Sequence, residues 1–514
     1  MREPVGPRWR VFATGALALL GLTLTPAAAL AEPAPADTAA FTLFGWLSPP
    51  ADSTTEARLA QMADLSFNLA LPAWLDQGQL ADNLTRLDFA GAHGIRCLIW
   101  DDRFNGAWHW LPTFEDTLDQ VVSDYRDHPA FWGYYLGDEP PASEWPLLHR
   151  LRESLRQRDP IHPAWNNLSG RVIYPTGVSF ADTVTSYAEL VHPAVLCADH
   201  YDFTVTGDRG QFVENAAILR SVADAHGLPF WAIIQLIPHS SYRPLTLGEV
   251  SWQVSQLLAY GARGIGYFTY WPPDPDPAFN WGTAIMGGDG QPSPWYDRLR
   301  RFNEKVRQAG VILAISRWRR TTHSGSVPMG GLPFTPDDWI VNVSGRAAIG
   351  EFEGPGGEKY VLVANSDSLT GRTIALGLNG YRATIVDRGQ NVFYPNAAAP
   401  ATADASSLSL GAGEFALVSL EPIAAGTAAM AVAPNPGSGM MSFSIQVTSP
   451  NARFEILDTS GRRIWSQAVA AGPASVVWRG ERDRGGTATA GIYFVRVAGA
   501  GQESVRRFAW LGTR

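Results

Sequence analysis

Residues 128–140 read His-Pro-Ala-Phe-Trp-Gly-Tyr-Tyr-Leu-Gly-Asp-Glu-Pro. The run 131–137 is aromatic and apolar, the composition of a strand. It closes on two carboxylates, Asp138 and Glu139, with Pro140 as a stop. The stretches on either side, 114–125 and 143–156, carry apolar residues at helical spacing. The local unit is therefore helix–strand–helix, with adjacent acids at the C-terminal end of the strand.

The same alternation continues outward in both directions. Strand-like runs at 41–47, 67–74, 95–100, 131–137, 162–168, 195–201, 230–236 and 264–271 alternate with helical stretches that include 80–93, 212–226 and 247–260. Eight repeats over about 250 residues is the arithmetic of a (β/α)8 barrel, an α/β TIM barrel spanning 32–310. A doubly wound open sheet is the competing answer. However, the only suitable glycine cluster, Gly261-Ala-Arg-Gly-Ile-Gly266, lacks the G-x-G-x-x-G spacing and reads as a helix-to-strand turn.

Chemistry in such barrels collects where the strands end. That rim reads Trp46, Trp74, Trp100-Asp101-Asp102, Asp138-Glu139, Asn166-Asn167, Asp199-His200-Tyr201, Gln235 and Tyr270-Trp271. Flat indole faces suit sugar rings, and carboxylates and amides bond hydroxyls, so a carbohydrate ligand is expected. Trp271 and at least one of Trp46, Trp74 or Trp100 are expected to line the cleft. Each residue also has a plainer reading: a Trp caps the core, Asp101 or Asp102 caps a helix, and His200 is bonded locally.

Composition bounds the rest. The chain has 514 residues, is 46% hydrophobic and carries a net charge of −9, which argues against wholesale disorder and a nucleic-acid footprint. Only 17% of residues are charged, and 19 Trp, 50 Gly and 37 Pro point to an extracellular fold rich in loops and strands. Two cysteines exclude a disulfide scaffold and a cysteine-based zinc site; Cys97 and Cys197 sit in apolar runs and are expected as buried free thiols. The ten His show no metal-ligand spacing, and H-E-x-x-H, G-x-S-x-G and P-loop motifs are absent, so no metal or cofactor is expected. Arg2, Arg8 and Arg10, the apolar run 11–24 and Ala29-Leu30-Ala31 form a secretory signal peptide over 1–31. The mature chain is then expected outside the cytoplasm (secreted, at the cell surface or in the periplasm) and without a transmembrane span.

The 128–140 segment resembles the fourth strand of clan A glycoside hydrolases, in which a His-Pro precedes a strand ending in Asn-Glu. The stretch 257–271 resembles the last helix and strand of those enzymes. The resemblance implies a (β/α)8 glycosidase with Glu139 as general acid/base. Two departures stand out: Asp138 replaces the Asn, and the seventh strand ends in Gln235 where that clan places a nucleophilic Glu. An Asp-Glu pair also resembles the hexosaminidases of glycoside hydrolase families 20 and 123, in which Asp holds the substrate's 2-acetamido group so that its carbonyl attacks the anomeric carbon. In those enzymes a tyrosine bonds that carbonyl, a part Tyr201 could take. The pleat is expected to send Asp138 and Glu139 in different directions, with Glu139 entering the cleft. The alternative is a non-catalytic carbohydrate-binding or cell-surface structural protein on a degenerate barrel.

Beyond the barrel, 311–422 shows short β runs suited to a β-sandwich, and 423–433 reads as an Ala/Gly-rich linker. Within 434–514, Asn435-Pro436, the turn 458–461, Trp478-Arg-Gly480 and Ala490-Gly-Ile-Tyr-Phe494 resemble the FlgD-type Ig-like domain that ends many secreted bacterial enzymes. That resemblance implies engagement with secretion or cell-surface components; a passive stabilising module is the plainer reading. Residues 422–514 hold ten Arg against five Asp or Glu, a charge balance opposite to that of the rest of the chain.

Overall fold

The computed structural model describes residues 38, 40–73, 78–104, 113–170, 178–386, 407–422, 430–433, 435, 437–447, 451–499 and 502–512. The proposed signal peptide lies outside them. Among the described residues, the first part of the chain alternates β1 (Thr42–Gly45), α1 (Glu56–Asp64), β2 (Leu69–Ala70), α2 (Leu80–Ala92), β3 (Arg96–Ile99), α3 (Phe114–Tyr125), β4 (Phe131–Asp138) and α4 (Trp145–Arg158). It continues with β5 (Ala164–Asn167), α5 (Phe180–Val191), β6 (Leu196–His200), α6 (Phe212–His226), β7 (Phe230–Gln235), α7 (Leu247–Ala259), β8 (Gly264–Phe268) and α8 (Pro294–Ile315).

The strands form one parallel sheet in the order β5-β4-β3-β2-β1-β8-β7-β6. Backbone bonds from Leu168 N to Cys197 O (3.0 Å) and from Asp199 N to Leu168 O (3.1 Å) close the remaining gap, so the sheet is a (β/α)8 barrel. Local sequence explains the helix ends. Thr246 and Glu249 make a reciprocal capping box at the start of α7, and Gly227 takes the left-handed conformation that ends α6.

Large rings fill the barrel. Phe44 lies 6.5 Å from Trp165 and 5.8 Å from Trp231, and Trp132 lies 5.4 Å from Trp231. Such rings fit only where the neighbouring strand carries no side chain. A Cβ on Gly266 would fall 2.3 Å from Phe44, and one on Gly264 would fall 2.3 Å from Trp231. Cys97 and Cys197 are buried free thiols.

Helix α8 continues to Ile315, five residues past the expected end of the barrel, and leads into β9 (Arg317–Ser324). Strands β10 (Ile340–Ser344), β11 (Ala347–Glu353), β12 (Lys359–Asn365), β13 (Arg372–Leu378), β14 (Tyr381–Ile385), β15 (Ser407–Leu410) and β16 (Phe415–Pro422) follow. They form antiparallel sheets β14-β16-β12-β11-β9 and β10-β13-β15 around Trp339, Ile349, Val363 and Val418. The other face of the larger sheet presents Phe352, Leu362, Phe415 and Leu417 to the barrel's own core. The Ser255 hydroxyl of α7 donates to Gly413 O and the Thr321 hydroxyl to Ala259 O, both at 2.7 Å.

The last unit comprises β17 (Met430–Ala433), β18 (Met441–Val447), β19 (Ala452–Leu457), β20 (Arg463–Val469), β21 (Gly472–Trp478), β22 (Gly491–Gly499) and β23 (Gln502–Trp510). Its sheets, β17-β18-β21 and β20-β19-β22-β23, enclose a separate core of Phe443, Phe454, Trp478, Phe508 and Trp510. The expected linker thus ends in a strand, because Met430–Ala433 pairs with β18; residues 423–429 are outside the described set. Among the described residues, no helix is long and apolar enough to cross a membrane.

Gly266→Ala should destabilise the barrel by about 1–3 kcal/mol through overpacking against Phe44. A urea or thermal melt reads this as an earlier barrel transition; an unchanged midpoint would mean that Phe44 moves aside freely.

Candidate active site

Strands β4, β5 and β6 bring together residues far apart in sequence. Tyr135 pairs with Trp165 and Asp138 with Asn167, so three steps along β4 match two along β5. This extra residue is a β-bulge, which turns Asp138 to the same inward face as Tyr135. Gly137, inside the bulge, has φ 123°, and Glu139 itself has φ 46°, a left-handed conformation unusual for a residue with a side chain. The Glu139 amide donates to Asn167 O at 2.9 Å and so pins the strained turn to β5.

The outcome differs from simple alternation: both acids enter the site. The Asn167 side-chain amide donates to Asp138 Oδ1 at 3.2 Å and to Asp199 Oδ1 at 3.0 Å. Asp199 is buried and also shares a hydrogen bond with the Glu139 carboxyl. Asp138 is open to solvent yet stands in a recess walled by protein. Desolvation and the Glu139 charge push its carboxyl up to about 7. Burial, then Glu139 and Asp138, raise Asp199 well above the ordinary carboxylate range. Burial and like charge thus favour the protonated forms of Asp138 and Asp199. Tyr201, half-buried beside them, is raised by desolvation and by the charges of Asp199, Asp138 and Glu139.

The remaining rim residues divide by which way the pleat sends them. Asn166 points outward, where its Oδ1 accepts from Tyr187 of α5 at 2.6 Å. His200 also faces the helices, 3.5 Å from Asp202 and with its ring 6.2 Å from Phe212. These two are therefore structural as the chain folds, while their neighbours Asn167, Asp199 and Tyr201 face the recess. Asp101 is buried and paired with Arg103 at 2.7 Å, and it accepts the Tyr125 hydroxyl at 2.6 Å, so both its oxygens are engaged within the fold. Asp102 lies on the surface and accepts from Gln79 at 3.2 Å.

Gln235 is wholly buried and contacts no ligand space. Its Oε1 accepts from Phe203 N (3.1 Å), and its Nε2 donates to Phe203 O (3.0 Å) and Arg243 O (3.3 Å). It is a pin between β7 and the loop after β6. Strand β8 ends at Phe268, and the chain then packs against the segment after β1, with Tyr270 N donating to Trp46 O at 3.0 Å. Tyr270 is consequently buried against Phe67. Trp271 retains 6% of its surface, with the Arg58 guanidinium 5.6 Å from its ring centre. Trp46 is buried against Tyr135 and Trp165. Of the expected indole walls, Trp100 is half-buried, 6.1 Å from Tyr135, and Trp74 lies outside the described residues.

Reading strand ends alone missed the aromatic groups on the loops after β7 and β8. His239, Tyr242 and Trp281 surround Tyr201 and Phe268 at ring separations of 4.7–6.0 Å. The available signal was that barrel sites are built by βα loops as well as strand ends.

No protein-family model matches the chain, and no curated protein matches it. Among solved structures, a catalytic mutant of Gan42B, a GH42 β-galactosidase from G. stearothermophilus, is 10% identical, with a TM-score of 0.50 over 74% of this chain and 98% of that one. The β-galactosidase of the Antarctic haloarchaeon Halorubrum lacusprofundi is 15% identical (TM-score 0.41, 53% of this chain, 62% of that one). That of the psychrophilic Marinomonas ef1 is 10% identical (TM-score 0.40, 52% and 60%). The chain thus spans about three-fifths of the length of the last two. The Gan42B likeness shows the fold alone, a (β/α)8 barrel.

Two outcomes test this geometry. The native state keeps on Asp199 a proton that the unfolded chain releases near pH 3.9, so stability falls as pH rises from there through the raised native value. Asp199→Asn should therefore be more thermostable than the parent at pH 8, with the advantage vanishing toward pH 4. Gln235→Glu places an acceptor against Phe203 O; it should cost roughly 1–3 kcal/mol or more and create no new activity in a glycosidase screen.

Proposed function

We propose that this chain is a secreted glycoside hydrolase cleaving O-glycosidic bonds, with substrate assistance on 2-acetamido sugars. The observation that carries the reading is the cluster of Asp138, Glu139 and Asp199 around the Asn167 amide at the C-terminal mouth of the barrel. Glu139 and Asp199 are within hydrogen-bond reach. With Gln235 serving as a backbone pin, the chain offers no separate nucleophile among these residues, and the substrate's own acetamido oxygen fills that role.

In this scheme the acetamido N–H, by bonding Asp138, favours its ionised form, so that on substrate binding the cluster's proton passes to Glu139; the Glu139 carboxyl then gives it to the glycosidic oxygen as the bond to the anomeric carbon breaks. The acetamido carbonyl oxygen forms the new bond to that carbon, while the Asp138 carboxylate accepts the acetamido N–H and balances the cyclic cation. Water then adds at the anomeric carbon, the Glu139 carboxylate takes its proton, and the acetamido group reopens. Asp199 positions Glu139, and Tyr201 is placed to bond the acetamido oxygen. The signal-peptide pattern supports secretion. The C-terminal unit, with its own core and basic balance, supports a role in attachment or export by an Ig-like module.

Glu139→Gln should reduce turnover of unactivated glycosides by about 10²–10⁴ and largely spare nitrophenyl substrates, whose leaving groups need little protonation. Asp138→Asn should slow both kinds of 2-acetamido substrate alike. Equal losses on both in Glu139→Gln would refute the acid assignment, and no change in either variant would favour the non-catalytic alternative.

A further inference from the structure

Phe279 is 41% exposed, and its ring lies flat on Trp281 at 4.7 Å with only 3° between the planes. Single exposed apolar side chains are ordinary; this one is held in place by the surrounding backbone. Phe279 N donates to Asp276 O at 3.1 Å, and Ser240 N donates to Phe279 O at 2.6 Å. Gly282 N donates to Pro238 O at 2.8 Å, where a Cβ would fall 2.2 Å from the Pro238 ring. Ser240 and Asn280 both adopt left-handed backbone, φ 49° and 50°. Strain of this kind persists only where surrounding contacts impose it, and here it presents an apolar ring to water.

The stack also leads somewhere. From Phe279 and Trp281 it passes to His239 at 5.1 Å, and from His239 to Tyr201 at 5.8 Å, which borders the carboxylates. His239 is uncharged in this setting: burial lowers its pKa, and its Nδ1–H donates to Ile237 O at 3.0 Å. The series is thus a chain of contacting rings running from beside the acid cluster out to the surface.

We infer that Phe279 and Trp281 form a remote subsite that stacks a pyranose ring of the substrate, so that the substrate class is an oligosaccharide or glycan chain. The axial C–H bonds of such a ring lie against the electron-rich face of Phe279, and the reacting bond lies at the other end of that chain of rings. This inference rests on the proposed glycosidase reading, which the test separates from it. The full chain, Phe279→Ala and Phe279→Tyr are compared on 4-nitrophenyl N-acetyl-β-glucosaminide and on N-acetylchitooligosaccharides of two to six units, with cello-oligosaccharides alongside. The parent should gain in kcat/KM with chain length. Phe279→Ala should lose about tenfold on the longer members and keep its rate on the nitrophenyl monosaccharide, and Phe279→Tyr should restore the parent pattern. An equal effect of Phe279→Ala at every length, or none, overturns the subsite. If the parent cleaves none of these compounds, the glycosidase reading fails, and the subsite is read by tryptophan fluorescence titration with the same oligosaccharides. Length-dependent binding lost in Phe279→Ala sustains it; the absence of saturable binding overturns it.

Discussion

Asp138, Glu139 and Asp199 repel one another when charged, and the barrel must hold them close together regardless. Two unit charges 4 Å apart cost roughly 4 kcal/mol at an effective dielectric constant of 20, so the cluster lowers its energy by retaining protons rather than by separating. The parallel ladder of β4, β5 and β6 fixes the three backbones, and the Asn167 amide supplies a hydrogen to each of two carboxylates. The bulge after Tyr135 and the left-handed Glu139 bring the third carboxyl into reach. These features concentrate local strain and like charge at one rim, while the aromatic core beneath supplies the burial that offsets them.

The position at the end of β7 illustrates the same economy of roles. Gln235 uses its amide on both backbone groups of Phe203, so the seventh strand anchors a loop. The ionisable groups sit together on β4 and β6 instead. On the opposite side of the helix layer, the sandwich uses Phe415 and Leu417 to extend the barrel core across α7 and α8, which makes it a structural partner of the barrel.

Much of this was legible in the sequence because it follows from periodicity. The eight apolar runs became eight strands, and the Asp-Glu pair at 138–139 lies at the mouth of the barrel. What escaped needed contacts distant in the chain or a break in the period. Asp101 is claimed by Arg103 and Tyr125, which no spacing rule announces. The bulge in β4 overrides the alternation that would have separated Asp138 from Glu139. Tyr270 and Trp271 look like strand-end residues, yet the strand stops at Phe268 and the chain beyond it buries them against the segment after β1. Strand β17 lay hidden in the Ala-rich stretch read as a linker.

The most direct test is a carbon-13 NMR titration of the Asp and Glu side-chain carboxyls of the full chain, assigned by single substitution. The account requires Asp138 to titrate near about 7, to move downward when Glu139 is replaced by Gln, and Asp199 to remain protonated well above the ordinary range. Asp138 and Asp199 both ionising at the usual value of about 3.9, unaffected by the Glu139 substitution, would contradict it.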